Sequence, residues 1–325
     1  MEVQDGADLC FPLLHNSSCR KPAAHWSEGV LLNAVLSLVS TATAALNLLV
    51  IISVSHFRQL QTPTNNLLLS LAASDFLVGL LSMPVAIYKQ SSCWALGDLL
   101  CSLYNYVSYI ATSASVGHMV FISADRYVAI CDPLRYPSRV TVARVRVCVC
   151  ACWLCSVLHC AYILMEDLAE PGRHHLCSGE CVIIINYVAG TVDLVVTFVA
   201  PIAAIFVLYS RVFVVAVVQA RAVRSHVHAV RARLTAKRSE LKAARTLGVL
   251  VVVFLMCFCP YYCVFLVGGD LLNASSEFYL LFLLYFNSCV NPLIYALFYP
   301  WFRKATRIIV TLQILRDRSS EANVL

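Results

Sequence analysis

"YVAGTVDLVVTFVAP", residues 187–201, is a run built for lipid that contains one carboxylate, Asp193. A charge at the centre of a membrane helix costs about 2.5–3.5 kcal/mol on insertion scales, so an acid there points to function. The run belongs to one of seven apolar stretches, near 30–55, 65–88, 99–130, 145–165, 183–218, 243–268 and 276–298. Stretches of about 20 residues cross ~30 Å of hydrocarbon as helices, which satisfy their own backbone groups. The whole chain, 325 residues, is 60% hydrophobic and only 13% charged, against about 25% charged in soluble domains. The expectation is an all-α membrane protein with a seven-helix transmembrane bundle over 29–300. An outer segment, 1–28, precedes it. A short amphipathic surface helix, 301–312, and a disordered tail, 313–325, follow. Residues 219–242 read as a basic linker between spans 5 and 6.

Basic residues set the orientation. Of 24 Lys and Arg, only Arg20, Lys21, Lys89 and Arg173 lie before span 1 or in the loops joining spans 2–3 and 4–5. The N-terminus is therefore expected outside and the C-terminus in the cytoplasm, and the net charge of +6 reads as topology bias, not nucleic-acid binding. The start, MEVQDGADLC, is acidic and lacks a basic n-region, so span 1 is expected to act as its own insertion signal. Six cysteines (Cys10, Cys19, Cys93, Cys101, Cys177 and Cys181) fall on the outer side, an even number in an oxidising compartment. The sequons at Asn16 and Asn273 map to the same side.

Motifs narrow the class. Span 3 ends in "SADRYVAI", placing Asp125, Arg126 and Tyr127 at the cytoplasmic edge. Span 6 begins near Glu240, a candidate closed-state partner of Arg126, and carries "CFCP" around Pro260. Span 7 ends in "NPLIY", where Pro292 removes a backbone donor and Asn291 can satisfy the freed polar groups. Span 2 holds Asp75 and span 4 Trp153. Together, in this order, these features resemble the rhodopsin-like G-protein-coupled receptors over roughly residues 28–310. More narrowly, "NSCVNPLIYALFYPWFRKA", residues 287–305, is similar to the fingerprint of the trace-amine-associated receptors, as are "LCFPLLHNSSCRKP" and "LCSGEC". That resemblance implies a plasma-membrane receptor for volatile or biogenic amines, mostly olfactory, coupled to the stimulatory G protein that raises cyclic AMP.

The departures from the family matter as much. The amine-binding Asp of span 3, 18 residues before the Arg of the DRY motif, is Ser108 here. Asp193, eight residues before Pro201, matches an acidic position in a subgroup of these receptors. Three readings of Asp193 stand: an amine counter-ion replacing the missing span-3 acid, a structural partner of His159, or a protonated carboxyl facing other helices. The resemblance adds Tyr109, Thr112, Phe258, Tyr261, Tyr262 and Tyr285 as ligand-facing, with rings suited to an ammonium. Phe258 stands where the family has Trp. Asp75, Ser115, Asn287 and Ser288 resemble its sodium-binding cluster, the alternative being simple hydrogen bonding to Asn291. His118 reads as a satisfied core histidine. Arg126, held by Asp125 and Glu240, is the expected switch, with Tyr209 and Tyr295 supporting it. The family joins Cys101 to Cys181. The other four outer cysteines allow three pairings, of which Cys10–Cys177 and Cys19–Cys93 are expected because the family ties its N-terminal segment over the pocket.

Other classes fare worse. Span 7 lacks a lysine for a retinal Schiff base. Repeated halves with broken midplane helices, the transporter pattern, are not seen. No nucleophile–base pair or metal-ligand spacing indicates an enzyme. The competing reading is a seven-helix receptor for a non-amine ligand, or a constitutively active one, with Asp193 structural.

Overall fold

The computed structural model describes residues 9–14, 16–21, 26–225, 248–264, 266, 274–316 and 318–324. They form an antiparallel helical bundle: α1 (Trp26–His56), α2 (Pro63–Ser91), α3 (Asp98–Cys131), α4 (Val142–Ile163), α5 (Tyr187–Leu194, continuing through Ala200–Ser225), α6 (Gly248–Val264), α7 (Ala274–Phe298) and α8 (Pro300–Val310). Six are long and apolar enough to cross a membrane, and the described part of α6 is a shorter apolar helix. Among the described residues the only extended pairing is two isolated bridges. Over the described residues, the seven expected spans thus fall on α1–α7. The expected linker begins as helix, because α5 runs on to Ser225. Glu240 and Asn273 lie outside the described residues.

Two helices carry a wide turn just before a proline: Val78–Ser82 before Pro84 in α2, and Val195–Val199 before Pro201 in α5. A proline ring clashes with the carbonyl four residues earlier and offers no N–H. Inserting one extra residue per turn relieves both, as π-bulges do. In α2 the wide turn also brings the backbone against α1. A Cβ on Gly79 would sit 2.6 Å from Ala44 N, and Ser40 Oγ donates to Gly79 O at 2.8 Å.

Three disulfides close the end of the bundle that carries the N-terminal segment. Cys101–Cys181 is as expected, but the other two are Cys10–Cys93 and Cys19–Cys177, which corrects the expected Cys10–Cys177 and Cys19–Cys93. The backbone explains the exchange. The N-terminal segment folds on itself through Cys10 N–H to Cys19 O at 2.8 Å, and Ser18 then pairs with Ser178. That pairing sets Cys19 beside Cys177. Gly179, at φ +108°, lets Cys10 approach so closely that a Cβ there would lie 2.9 Å from Cys10 Cβ. Gly179 O also receives the Trp94 N–H at 2.9 Å, bringing Cys93 to the same place.

At the opposite end, α8 buries Trp301, Phe302 and Ala305 against the bundle. Arg303 Nη1 donates to the last α7 carbonyls, Ala296 at 2.8 Å and Leu297 at 3.1 Å, filling acceptors a helix end leaves open. The tail expected to be disordered instead folds back. His56 Nε2 meets Ser319 Oγ at 3.0 Å, and Arg58 pairs with Glu321 at 3.5 Å. Val324 is fully buried and donates its N–H to Gln59 Oε1 at 3.3 Å. Composition alone made this tail look unstructured; its contacts with His56, Arg58 and Gln59 and the buried Val324 are what hold it.

Candidate functional site

Asp193 lies on the first turns of α5, its side chain 14% exposed. His159 Nε2, from α4, is 3.1 Å from Asp193 Oδ1. Thr197, one helical turn below Asp193, donates its hydroxyl to Asp193 O at 2.6 Å. Its only hydrogen being used there, the 2.6 Å contact between Thr197 Oγ1 and Tyr262 Oη has the phenol donating. Tyr262 stacks on Phe198 with centroids 4.6 Å apart and meets Tyr261 edge-on at 5.3 Å. Tyr109, from α3, bonds Tyr261 and lies within electrostatic reach of Asp193. The carboxylate therefore sits among an imidazole and several phenol rings.

The remaining pocket residues form a second group. Ser108 is buried, close to the hydroxyls of Tyr104 and Tyr285. Thr112 Oγ1 donates to Ser108 O at 3.0 Å. Thr112, Phe258 and Tyr285 line a small enclosed cavity of about 10 Å³ with Val78, Ser115, Leu284, Asn287 and Ser288, room for about one water. Phe258 packs on Phe254 at 4.3 Å. Tyr109, Tyr261 and Tyr262 thus gather at Asp193, while Thr112, Phe258 and Tyr285 sit over the Asp75 cluster.

Asp75 is fully buried. Ser115 and Ser288 donate to its Oδ1 at 3.0 and 2.8 Å, and Asn291 Nδ2 to its Oδ2 at 2.7 Å. The Asn291 bond is the one the sequence offered as the alternative to a sodium site. Asn287 does not reach the carboxylate: its Nδ2 points to Met119 Sδ at 3.9 Å, and its Oδ1 is buried without a partner. Asn47 ties α1 in, donating to Ser288 O at 3.0 Å. His118 is a satisfied core residue. Nδ1 lies against Ala114 O and must donate, so Nε2 accepts from Ser70 Oγ at 2.7 Å, which accepts from Trp153 Nε1 at 2.9 Å.

At the α8 end, Asp125 collects four donors. Arg126 Nε donates to its Oδ2 at 2.9 Å, joined there by Arg126 Nη2 and by Thr64 Oγ1 at 2.9 Å. Tyr136 Oη donates to its Oδ1 at 2.8 Å. Arg126 Nη2 also bonds Thr64 Oγ1. Tyr127 is half-buried beside them. Tyr209 and Tyr295 carry buried hydroxyls without a hydrogen-bond partner, and Tyr295 meets Tyr299 edge-on at 6.1 Å. Asn16 stands exposed in a turn of the N-terminal segment.

Sequence reasoning missed Thr197, Thr64 and Tyr136. Thr197 carried a usable signal, since i and i+4 share a helix face. Thr64 and Tyr136 carried none, because they meet Asp125 only through tertiary packing.

The model of the "7 transmembrane receptor (rhodopsin family)" matches residues 46–295. The chain is 36% identical over 332 residues to trace amine-associated receptor 13c of Danio rerio, covering 98% of this chain and 97% of that one. To trace amine-associated receptor 8b of Mus musculus it is 36% identical over 333 residues, covering 98% and 96%. To trace amine-associated receptor 8a of Rattus norvegicus it is 37% identical over 330 residues, covering 96% and 95%.

Proposed function

Since the chain belongs to the rhodopsin-family seven-transmembrane receptors and, within them, to the trace amine-associated receptors, we propose that it detects small amines through Asp193. It is a membrane receptor, not an enzyme. The observation that carries the proposal is the placement of a largely buried carboxylate against phenol rings from α3 and α6, with Ser108 where an amine-binding receptor would hold its acid. An ammonium gains from both the charge and the ring faces. In this pose its charged end lies toward α5 rather than α3.

The receptor operates at the plasma membrane, N-terminus outside, in an olfactory role. It activates a stimulatory G protein through release of Arg126 from Asp125. In this reading the four donors gathered on Asp125 hold the closed state, and a ligand opens it only by binding the open state better. The Asp75 cluster suits a sodium ion: the Ser115 and Ser288 hydroxyl oxygens lie at the carboxylate, and Asn287, whose Oδ1 has no partner, lines the adjoining cavity with them. Sodium there would supply charge compensation for Asp75, and Asp75→Asn would remove sodium dependence of agonist affinity.

The test is Asp193→Asn, screened with a panel of amines for cyclic-AMP production. Breaking a buried pair costs about 3–5 kcal/mol, so potency should fall more than about a hundredfold. Wild-type potency in this variant, at normal surface expression, would assign the carboxylate a structural role beside His159. That is the competing reading, and the 3.1 Å His159 contact is the observation that favours it.

A further inference from the structure

A tail that folds back needs a seat, and the loop joining α1 to α2 supplies one. His56 Nε2 lies 3.0 Å from Ser319 Oγ, whose single hydrogen goes to Ile314 O at 2.6 Å, so the imidazole donates. Gln59 Oε1 accepts the Val324 N–H at 3.3 Å, and Val324 is fully enclosed in the same apolar core as Phe57 and Leu60. The Arg58–Glu321 pair, at 3.5 Å, is exposed on both sides and adds little; enclosure of the valine is the larger contribution. We infer that this loop is a docking site for residues 319–324, and that the docked tail helps hold the Arg126 switch closed by fixing Thr64. The premise is the reading of the Asp125 network as the closed-state hold.

A chain of bonds joins the seat to the switch. Arg58–Leu60 form one tight helical turn, in which the Leu60 N–H bonds Phe57 O at 2.9 Å. Leu60 O accepts the Thr62 N–H at 2.8 Å and Asn65 Nδ2 at 2.8 Å. Thr62 Oγ1 in turn caps the Asn65 N–H at 3.3 Å. These bonds fix the first turn of α2, from which Thr64 donates to Asp125 Oδ2 at 2.9 Å and accepts from Arg126 Nη2. A packed, bonded network of this kind carries a displacement from one end to the other. With the tail seated, Gln59 and Leu60 are held and Thr64 stays on Asp125. With the tail gone, the loop gains freedom and Asp125 loses a firmly placed donor. Coupling is reciprocal, so an opened receptor holds its tail less tightly.

The experiment follows ligand-free nucleotide exchange on the G protein, divided by surface receptor number, beside hydrogen exchange over residues 319–324 of the purified full chain. Val324→Asp puts a charge into the enclosed seat. The tail should lose protection and basal exchange should rise about fivefold, the lower end for coupled sites. Gln59→Ala removes one bond to the tail and should move both readings the same way by less. Thr64→Val cuts the route. On that background Val324→Asp should still free the tail, but leave basal exchange where Thr64→Val alone puts it. A freed tail with wild-type basal exchange overturns the inference, and so does an undiminished fivefold rise on the Thr64→Val background. Protection no greater in the wild type than in Val324→Asp also overturns it, since no docking would then exist. If Thr64→Val alone leaves basal exchange unchanged, the closed-state reading of Asp125 fails. A rise in Thr64→Val beside no rise in Val324→Asp rejects only the role of the tail.

Discussion

Removing one oxygen atom, in Tyr136→Phe, should switch the receptor partly on without ligand. The Tyr136 phenol sits on the short helix Tyr136–Arg139 between α3 and α4 and donates to Asp125 Oδ1 at 2.8 Å. Burial pushes this phenol above its ordinary value, so it stays a protonated donor throughout the physiological range. Its loss leaves Asp125 with Thr64 and Arg126 only, and the closed state weaker by that bond. A hydrogen bond to a charged group is worth about 1.5–3 kcal/mol. The phenol is half-buried, so the lower end applies, and ~1.5 kcal/mol is about twelvefold in an equilibrium. A receptor open ~1% of the time, a usual population for a minor state, would become open ~11% of the time. The assay is ligand-free nucleotide exchange on the G protein, divided by surface receptor number. Thr64→Val should act in the same direction, and the double variant should depart from additivity because both donors serve one carboxylate. Unchanged or reduced basal exchange at normal surface expression would refute the closed-state role of this network.

Three further outcomes follow from the same geometry. Asp75→Ala strips three buried donors of their acceptor, at about 1–3 kcal/mol per orphaned group; detergent-solubilised receptor should melt well below wild type, and an unaltered Tm would contradict the packing. Gly79→Ala forces α1 and α2 apart, since the new Cβ would lie 2.6 Å from Ala44 N; overpacking of this kind costs about 1–3 kcal/mol, seen as reduced surface expression or Tm. Cys10→Ser, Cys93→Ser and their double variant should be equally impaired because they remove one bond, whereas Cys10→Ser with Cys177→Ser breaks two and should be worse. Non-reducing peptide maps joining Cys10 to Cys177 would reverse this assignment.

The sequence revealed the bundle because membrane spans are continuous: a helix in hydrocarbon must be apolar over its whole length, and no tertiary contact hides that. The site was legible where function breaks the pattern, as Asp193 and Asp75 do. It was illegible where partners meet across helices at positions that look ordinary. Thr64 is one threonine at the start of a span, and Tyr136 one tyrosine in a loop; only packing brings them to Asp125. The disulfide pairing failed for a related reason. Four cysteines allow three connectivities, and the choice among them depended on a fold of the N-terminal segment and on the left-handed backbone of Gly179. His159 was visible as an option beside Asp193, but whether it touched the acid required coordinates.

The docked tail has a consequence for anyone labelling this receptor. Fluorescent proteins, epitopes and affinity handles are routinely appended to a receptor's cytoplasmic tail on the assumption that it trails freely in solution. Here Val324 is enclosed and its backbone is held by Gln59. A bulky cargo fused there would pull against that seat and leave Arg58 and His56 without Glu321 and Ser319. Signalling recorded through such a fusion reports a receptor whose underside has been rearranged. An untagged receptor followed by antibody against the N-terminal segment leaves the native arrangement in place.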